Sequence, residues 1–102
     1  MKIYSVGNMS DMEKIKKARK HIDRIDAALI AILAERMSLM PEIAEYKKAN
    51  KIPITDEKRE IEIMKKLKKI GKEYGLEEGF VEEVFLSIFN EAKRIQNGVI
   101  KS

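Results

Sequence analysis

The stretch AALIAILAERMSLMPEIAEYK, residues 27–47, decides how this chain folds. Its apolar residues recur at alternating steps of three and four positions, which marks one face of a long helix. The same spacing extends upstream, and the full row, which we name the apolar seam, comprises Ile15, Ala18, Ile22, Ile25, Leu29, Ile32, Leu39, Ile43 and Tyr46. Ser10 or Asp11 can cap the start of this helix, and the pattern ends near Ala49 or Asn50.

One position in the register of the apolar seam carries a charge. Seven-residue steps from Ile15 pass through Ile22 and Leu29, reach Arg36 and continue to Ile43. A guanidinium cannot lose its charge, so burying it requires anionic partners. Arg36 therefore indicates either a core ion pair or a site for an anionic ligand, and both interpretations stay open at this point.

The length of the predicted helix is itself informative. Forty residues at ~1.5 Å each give roughly 60 Å, which exceeds the width of a domain of this size. Either a second chain covers the apolar seam, or Pro41 divides the helix. A proline inside a regular helix costs ~3 kcal/mol. Because the seam continues in register through Ile43 and Tyr46, we expect a kink at Pro41 and not the end of the helix.

Two shorter helices follow a connector at residues 50–55, where Pro53 forces extended geometry on Ile52. Thr55 or Asp56 caps the second helix, and Gly75 suits a left-handed C-terminal cap. The buried face predicted for the second helix comprises Glu60, Ile63, Met64, Leu67, Ile70 and Tyr74. The face predicted for the third helix comprises Val81, Val84, Phe85, Ile88, Phe89, Ala92 and Ile95. The expected organisation is an N-terminal extension at 1–9, a helical domain at 10–98 and a tail at 99–102.

Composition argues against several classes of protein. The net charge is +4, but 21 basic and 17 acidic residues are interspersed, whereas nucleic-acid binders cluster their bases. The absence of cysteine excludes disulfides and thiolate chemistry, and a single histidine, His21, argues against a zinc site. No apolar run approaches ~18 residues, so we expect no membrane span. The N-terminus lacks the apolar core of a signal peptide, so we expect a cytoplasmic protein.

Arg36 and Lys47 are the first pair of candidate ligand-binding residues. At ~100° per residue they return to within ~20° of the same helix face, about 16 Å apart along the axis. Two long cationic side chains at this spacing can converge on one small anion. Taken alone, Lys47 is typical of a surface lysine.

Arg19 joins this pair only in a dimer. It precedes Arg36 by about 25 Å along the axis, too far to serve the same small ligand within one straight helix. If two first helices cross antiparallel near Ile30, Arg19 of one chain lies beside Pro41 of the other. The geometry predicts a homodimer with two sites, each completed by Arg19 in trans. The predicted fold is thus all-α, with three helices per chain, one very long, intertwined in a homodimeric helical bundle.

The remaining candidates are Asp56, Arg59 and Glu60, which form a DxxRE pattern, and Gln96. Asp56 alone is more typical of a helix-capping acid, while Glu60 heads an apolar face. Gln96 lies at the edge of the third helix's apolar face, where it can donate a hydrogen bond without adding charge. With the three cations above, the set suits a dianion that carries a hydroxyl. It contains no activated nucleophile.

Over residues 12 to 97 the sequence resembles the all-helical (AroQ-type) class of chorismate mutases. The resemblance is carried by ARKxIDxIDxxLIxxLAER at 18–36, AEYK at 44–47 and IPITDEKRE at 52–60. It implies the Claisen rearrangement of chorismate to prephenate, on the route to phenylalanine and tyrosine, with no cofactor and no metal. It also implies that Arg36 and the partner chain's Arg19 bind the two carboxylates, while Lys47 and Gln96 donate to the ether oxygen.

The resemblance further implies that Glu60 and Asp56 hold the ring hydroxyl and that Arg59 adds positive charge near a carboxylate. Two residues depart from the family pattern. Ala92 occupies a position, four before the glutamine, where the family often has a small polar residue. Pro41 lies within the long helix, between two cations that must converge.

Three alternative functions stay open from the sequence. An isochorismate–pyruvate lyase shares the fold and much of the cation set. A non-catalytic regulatory module of the same fold would bind another pathway enzyme, and such a partner is compatible with the surplus lysines. A basic helical nucleic-acid binder would show binding that falls steeply with salt.

Overall fold

The computed structural model describes residues 10–101, which form four α-helices and no strand. They are α1 (Asp11–Ser38), α2 (Met40–Ala49), α3 (Glu57–Glu73) and α4 (Glu78–Lys101). The predicted all-α class is confirmed, and α1 and α2 together occupy the span of the predicted long helix. The predicted extension at residues 1–9 lies outside the described residues. The predicted tail is helical as far as Lys101.

The long helix is interrupted at Leu39, which alone separates α1 from α2. Leu39 keeps right-handed dihedrals, with φ −85° and ψ −14°. Its N–H donates to the carbonyl of Arg36 at 3.3 Å, and its carbonyl accepts from the N–H of Ile43 at 3.2 Å. Pro41 therefore lies in the first turn of α2, where its missing N–H has no helical partner to lose. The sequence predicted a kink at Pro41, whereas the helix is interrupted two residues earlier, at Leu39.

Residues 10–35 form a capped helix whose apolar face is uncovered in the single chain. Ser10 and Glu13 make a capping box: Glu13 N–H donates to Ser10 Oγ at 3.1 Å and Ser10 N–H donates to Glu13 Oε1 at 3.2 Å. This confirms Ser10 as the cap. No residue of α1 is buried, and Ile22 and Leu29 of the apolar seam are 51% and 53% exposed.

Residues 36–101 contain the hydrophobic core. Helix α4 packs against both α2 and α3. The buried apolar residues are Met40 and Ala44 of α2 together with Val81, Ile88, Phe89 and Ala92 of α4. The face predicted for the third helix is thus largely confirmed, although Val84 is exposed.

The predicted face of the second helix is wrong in its C-terminal half. Ile63, Met64 and Leu67 are half-buried, but Ile70 and Tyr74 are exposed. The contact with α4 runs through Gly71 instead, which is the one buried residue of α3. A Cβ at Gly71 would lie 2.7 Å from Val81 Cγ2, so glycine permits a close approach of the two helices here.

Helix α3 ends in a Schellman motif, and the left-handed cap predicted at Gly75 is confirmed. Gly75 has φ +80°, and its N–H donates to Lys72 O at 3.0 Å. The N–H of Leu76 donates to Gly71 O at 2.8 Å. These two bonds satisfy carbonyls that the helix end would leave without partners.

Candidate functional site

A cavity of about 210 Å³ opens among residues 36–101, between the ends of α1 and α2 and the faces of α3 and α4. It is lined by both apolar and polar side chains. The polar lining residues are Arg36, Lys47, Asp56, Arg59, Glu60, Lys93 and Gln96. The structure thus brings together six residues that the sequence singled out, and it adds Lys93.

The lining side chains favour an anionic ligand. Four cations stand against two carboxylates, which leaves a formal charge of +2 around the cavity. The apolar part of the lining includes Ile43, Ile63 and Phe89, which can contact the apolar body of a ligand. A small dianion with an apolar body matches both properties.

Arg36 contributes a buried nitrogen with no hydrogen-bond partner. Its guanidinium carbon lies 5.8 Å from the centroid of the Phe89 ring, a cation–π contact. Its Nη1 atom is buried and makes no hydrogen bond to the protein. An unpartnered buried donor is costly and is uncommon in native proteins. Arg36, the charge found in the register of the apolar seam, also lines the cavity, so its guanidinium is placed to contact a ligand there.

Gln96 is a core residue, and the expectation that it lies at the edge of the α4 face is wrong. It is only 5% exposed, because α2 covers it through Met40. Its Nε2 donates to Met40 Sδ at 3.4 Å, and its Oε1 is buried without a partner. An amide oxygen and nitrogen exchange places by a half-turn of the side-chain amide. Either atom can therefore serve the cavity.

Lys47 is half-buried and is not the surface lysine that its local sequence suggests. Its Nζ donates to the carbonyl of Ile54 at 2.9 Å, in the connector between α2 and α3. An ammonium has three donors, so two remain for a ligand. Arg36 and Lys47 lie on either side of the interruption at Leu39, yet both line the cavity.

The start of α3 supplies two carboxylates and one guanidinium. Asp56 is the N-cap residue of α3, and its Oδ1 accepts from the Arg59 N–H at 3.1 Å. The helix-capping interpretation of Asp56 is confirmed, and the same residue also lines the cavity. Glu60, one turn further along, is half-buried.

Lys93 is the cavity residue that sequence reasoning missed. Its Nζ lies 3.2 Å from Glu60 Oε2 and 3.5 Å from Glu60 Oε1. The signal was its spacing: Lys93 lies four residues after Phe89 and three before Gln96, so all three share one face of α4. A lysine in a charged helix is usually assigned to the solvated side, and for that reason Lys93 was not predicted to line a cavity.

Two other singled-out residues lie in the first part of the chain. Arg19 and His21 are exposed on α1, and the role expected for Arg19 depends on a second chain. Among residues 10–101, no group of three or more His, Asp or Glu side chains is arranged to hold a metal ion. None of the helices in this range has the length and apolarity to cross a membrane.

The described residues are all-helical where they are regular, and they gather four cations, two carboxylates and a buried amide around one cavity, an arrangement suited to a small dianion. Comparison with known proteins identifies the family. A family model described as chorismate mutase type II matches residues 18–97, and the chain belongs to this family.

Several relatives support this membership. A chorismate mutase of Methanocaldococcus jannaschii is 35% identical over 85 residues, which is 83% of this chain and 86% of that protein. A bifunctional chorismate mutase/prephenate dehydratase of Aquifex aeolicus is 40% identical over 81 residues, 78% of this chain but only 22% of that longer protein. The T-protein of Haemophilus influenzae is 28% identical over 89 residues. The match therefore covers most of the Methanocaldococcus jannaschii protein but only one part of the longer Aquifex aeolicus protein.

Proposed function

We propose that this chain is a chorismate mutase, which rearranges chorismate to prephenate in the synthesis of phenylalanine and tyrosine. The observation that carries the proposal is the cavity: in a chain of this family, four cations, two carboxylates and a buried amide line one small space. The substrate is a dianion with an apolar ring and one hydroxyl, which matches the formal charge and the mixed lining.

The rearrangement breaks a C–O bond and forms a C–C bond in one step. Negative charge develops on the ether oxygen as the C–O bond breaks. Donors at that oxygen stabilise the transition state more than the substrate. The proposed donors are Lys47 Nζ, which has two hydrogens left, and the Gln96 amide turned so that Nε2 faces the cavity.

The carboxylates of the substrate are the proposed partners of the arginines. Arg36 has an unpartnered Nη1 for one carboxylate. Arg19 of the partner subunit and Arg59 bind the other carboxylate of the substrate. Holding both carboxylates selects the compact conformer in which the reacting carbons meet, and that ordering lowers the barrier without any covalent step.

The acids at the start of α3 are the proposed partners of the ring hydroxyl. Glu60 accepts from it directly, and the second oxygen of Asp56 is available because Oδ1 already caps α3. Arg36, Lys47, Glu60 and Gln96 are thus the residues that act on the reacting molecule, while Arg19, Asp56 and Arg59 complete its binding.

The assembly in this proposal is an intertwined homodimer. Its support is the apolar seam of α1, whose large side chains are about half exposed in the single chain. Two first helices that cross antiparallel near Ile30 would cover each other's seams and bring Arg19 in trans to the cavity. The domain at residues 10–98, the cytoplasmic location and the lack of a nucleic-acid or membrane partner belong to the same proposal.

The direct test is the loss of chorismate absorbance in the presence of the purified chain, with prephenate identified by chromatography. The same preparation is given isochorismate, because a lyase would release pyruvate from it. Conversion of chorismate without pyruvate release supports the mutase. Absence of chorismate conversion contradicts the mutase and favours the non-catalytic regulatory module. Preferred turnover of isochorismate supports the lyase.

A further inference from the structure

Lys93 and Glu60 form an ion pair inside the cavity, between α4 and α3. The Lys93 Nζ is 3.2 Å from Oε2 and 3.5 Å from Oε1, so one ammonium bridges both oxygens of the carboxylate. The two side chains are 26% and 29% exposed, and both line the cavity. This pair is neither a surface ion pair nor part of the core.

Glu60 presents an electrostatic problem in this position. Its negative charge faces a cavity that has to hold a dianion, and like charges repel strongly where water is partly excluded. The hydrogen bond that Glu60 offers to a hydroxyl is useful only if this repulsion is cancelled. Lys93 is the cation in contact with Glu60, and it reaches both oxygens.

From this geometry we infer that Lys93 is a positioning residue for Glu60: it cancels the charge of the carboxylate and fixes its orientation, so that Glu60 can accept a hydroxyl beside a dianionic substrate. The inference rests on the proposed function. A carboxylate has about four lone-pair positions, and one ammonium occupies only the pair that faces it. The remaining positions stay open toward the ligand.

The inference predicts a specific kinetic signature for Lys93→Met, which keeps the length of the side chain and removes the charge. Repulsion by an uncancelled Glu60 acts on the bound substrate and on the transition state alike. An interaction shared by both states appears in KM and leaves kcat nearly unchanged. We expect KM for chorismate to rise about tenfold, because a partly buried charge is left unpaired, and kcat to fall less than about threefold.

A double-mutant cycle tests whether Lys93 acts through Glu60. In a Glu60→Gln background the charge that Lys93 cancels is already gone, so adding Lys93→Met should change KM by less than about twofold. The affinity for prephenate, measured by calorimetry, provides the same comparison if Glu60→Gln turns over too slowly. A tenfold effect in both backgrounds would mean that Lys93 acts on the ligand independently, and the inference would be overturned.

The chain offers a matched control. Lys68 of α3 pairs with Glu82 of α4 in the same way, and the pKa of Lys68 is raised chiefly by its hydrogen bond to Glu82. Lys68 does not line the cavity. Lys68→Met should therefore leave KM and kcat unchanged, while Lys93→Arg, which keeps a cation beside Glu60, should restore most of the affinity.

The outcomes separate the inference from the function it rests on. No conversion by the unmodified chain contradicts the proposed function and the role of Lys93 with it. An active unmodified chain with unchanged KM in Lys93→Met contradicts the role of Lys93 alone, as does an equal rise in KM for Lys68→Met. Circular dichroism confirms the helical content of each variant, and Lys93→Gln replaces any Lys93→Met preparation that fails to fold.

Discussion

Residues 10–35 and residues 36–101 contain the same kind of apolar helical face, but only the second region buries it. In the first region every large apolar residue of the seam is exposed in the single chain. In the second region α2 buries Met40 and Ala44 against α4. Each lies one position after a predicted seam residue, and the seam residues themselves, Leu39, Ile43 and Tyr46, are exposed, so the predicted seam is wrong here by one position. Periodicity identifies a face that avoids water. It does not identify which element, or which chain, covers that face.

The largest effect is expected from a polar residue in the apolar seam of the first region. Leu29→Asp places a carboxylate where two seams would meet, and symmetry places it there twice. We expect a monomer by size-exclusion chromatography with light scattering. Mutase activity should fall more than ~10³-fold, because the cavity loses the partner's arginine.

A matched variant distinguishes the seam from any exposed apolar position. Tyr74 in the second region is the most exposed large apolar residue, at 81%. Tyr74→Asp should leave assembly and activity unchanged. A Leu29→Asp chain that stays dimeric and active would show that the seam needs no second copy, and the difference between the two regions would lose its proposed meaning.

The second prediction concerns the boundary of the two regions. Arg36→Ala should lower kcat/KM by ~10²–10³-fold, because a charged donor to a substrate carboxylate is lost. The melting temperature should change little, since the lost cation–π contact with Phe89 is offset by the removal of an unpartnered buried donor. Unchanged kinetics in Arg36→Ala would contradict the assignment of the cavity as the active site.

Arg36→Ala also allows a test of sharing between chains. Arg19→Ala should be inactive as well, since it leaves every site without its arginine in trans. When the two inactive chains are mixed and exchanged, half of the dimers are mixed and each has one complete site, so about a quarter of the activity returns. Absence of recovery, with exchange verified by mass spectrometry, would refute the shared site.

The third prediction concerns the cation on α2. Lys47→Ala should lower kcat by ~10²-fold and change KM much less, because its proposed partner, the ether oxygen, gains charge only in the transition state. Lys48→Ala is the control, since Lys48 is exposed and does not line the cavity. Equal steady-state constants for the two variants would remove Lys47 from the mechanism.

The smallest effect is expected from the packing of the second region. Gly71→Ala would place a Cβ 2.7 Å from Val81 Cγ2. The β-branched Val81 has little rotamer freedom to yield, so we expect a loss of ~1–3 kcal/mol in the free energy of unfolding. Gly79→Ala is the control, since nothing lies within 4 Å of its Cβ. Urea denaturation monitored by circular dichroism measures both, and equal stability of the two variants would contradict the close α3–α4 contact.

The sequence predicted the helical spans well because each follows a clear apolar period and several helix ends carry a local cap, although it joined α1 and α2 into one long helix. The Ser10 capping box, the Asp56 cap and the left-handed Gly75 are all local features. The errors lie where distant parts of the chain decide. Ile70 and Tyr74 follow the α3 period, but the contact with α4 passes through Gly71 instead.

The candidate site shows the same division between local and distant information. Helical spacing and resemblance pointed to six of the seven polar residues that line the cavity. The burial of Gln96 depends on Met40, which is 56 residues away, and no local pattern shows it. Lys93 was missed because its role appears only when α3 brings Glu60 to within 3.2 Å of it.

Lys47 holds the connector at residues 50–56 at two points. The backbone carbonyl of Lys47 accepts from the Ile52 N–H at 2.8 Å, and its Nζ donates to the Ile54 carbonyl at 2.9 Å. Surface loops ordinarily tolerate insertions and deletions. Here a one-residue indel at 52–54 would pull the Lys47 ammonium away from the cavity that it lines, so we expect the length of this loop to matter more for the proposed site than its composition.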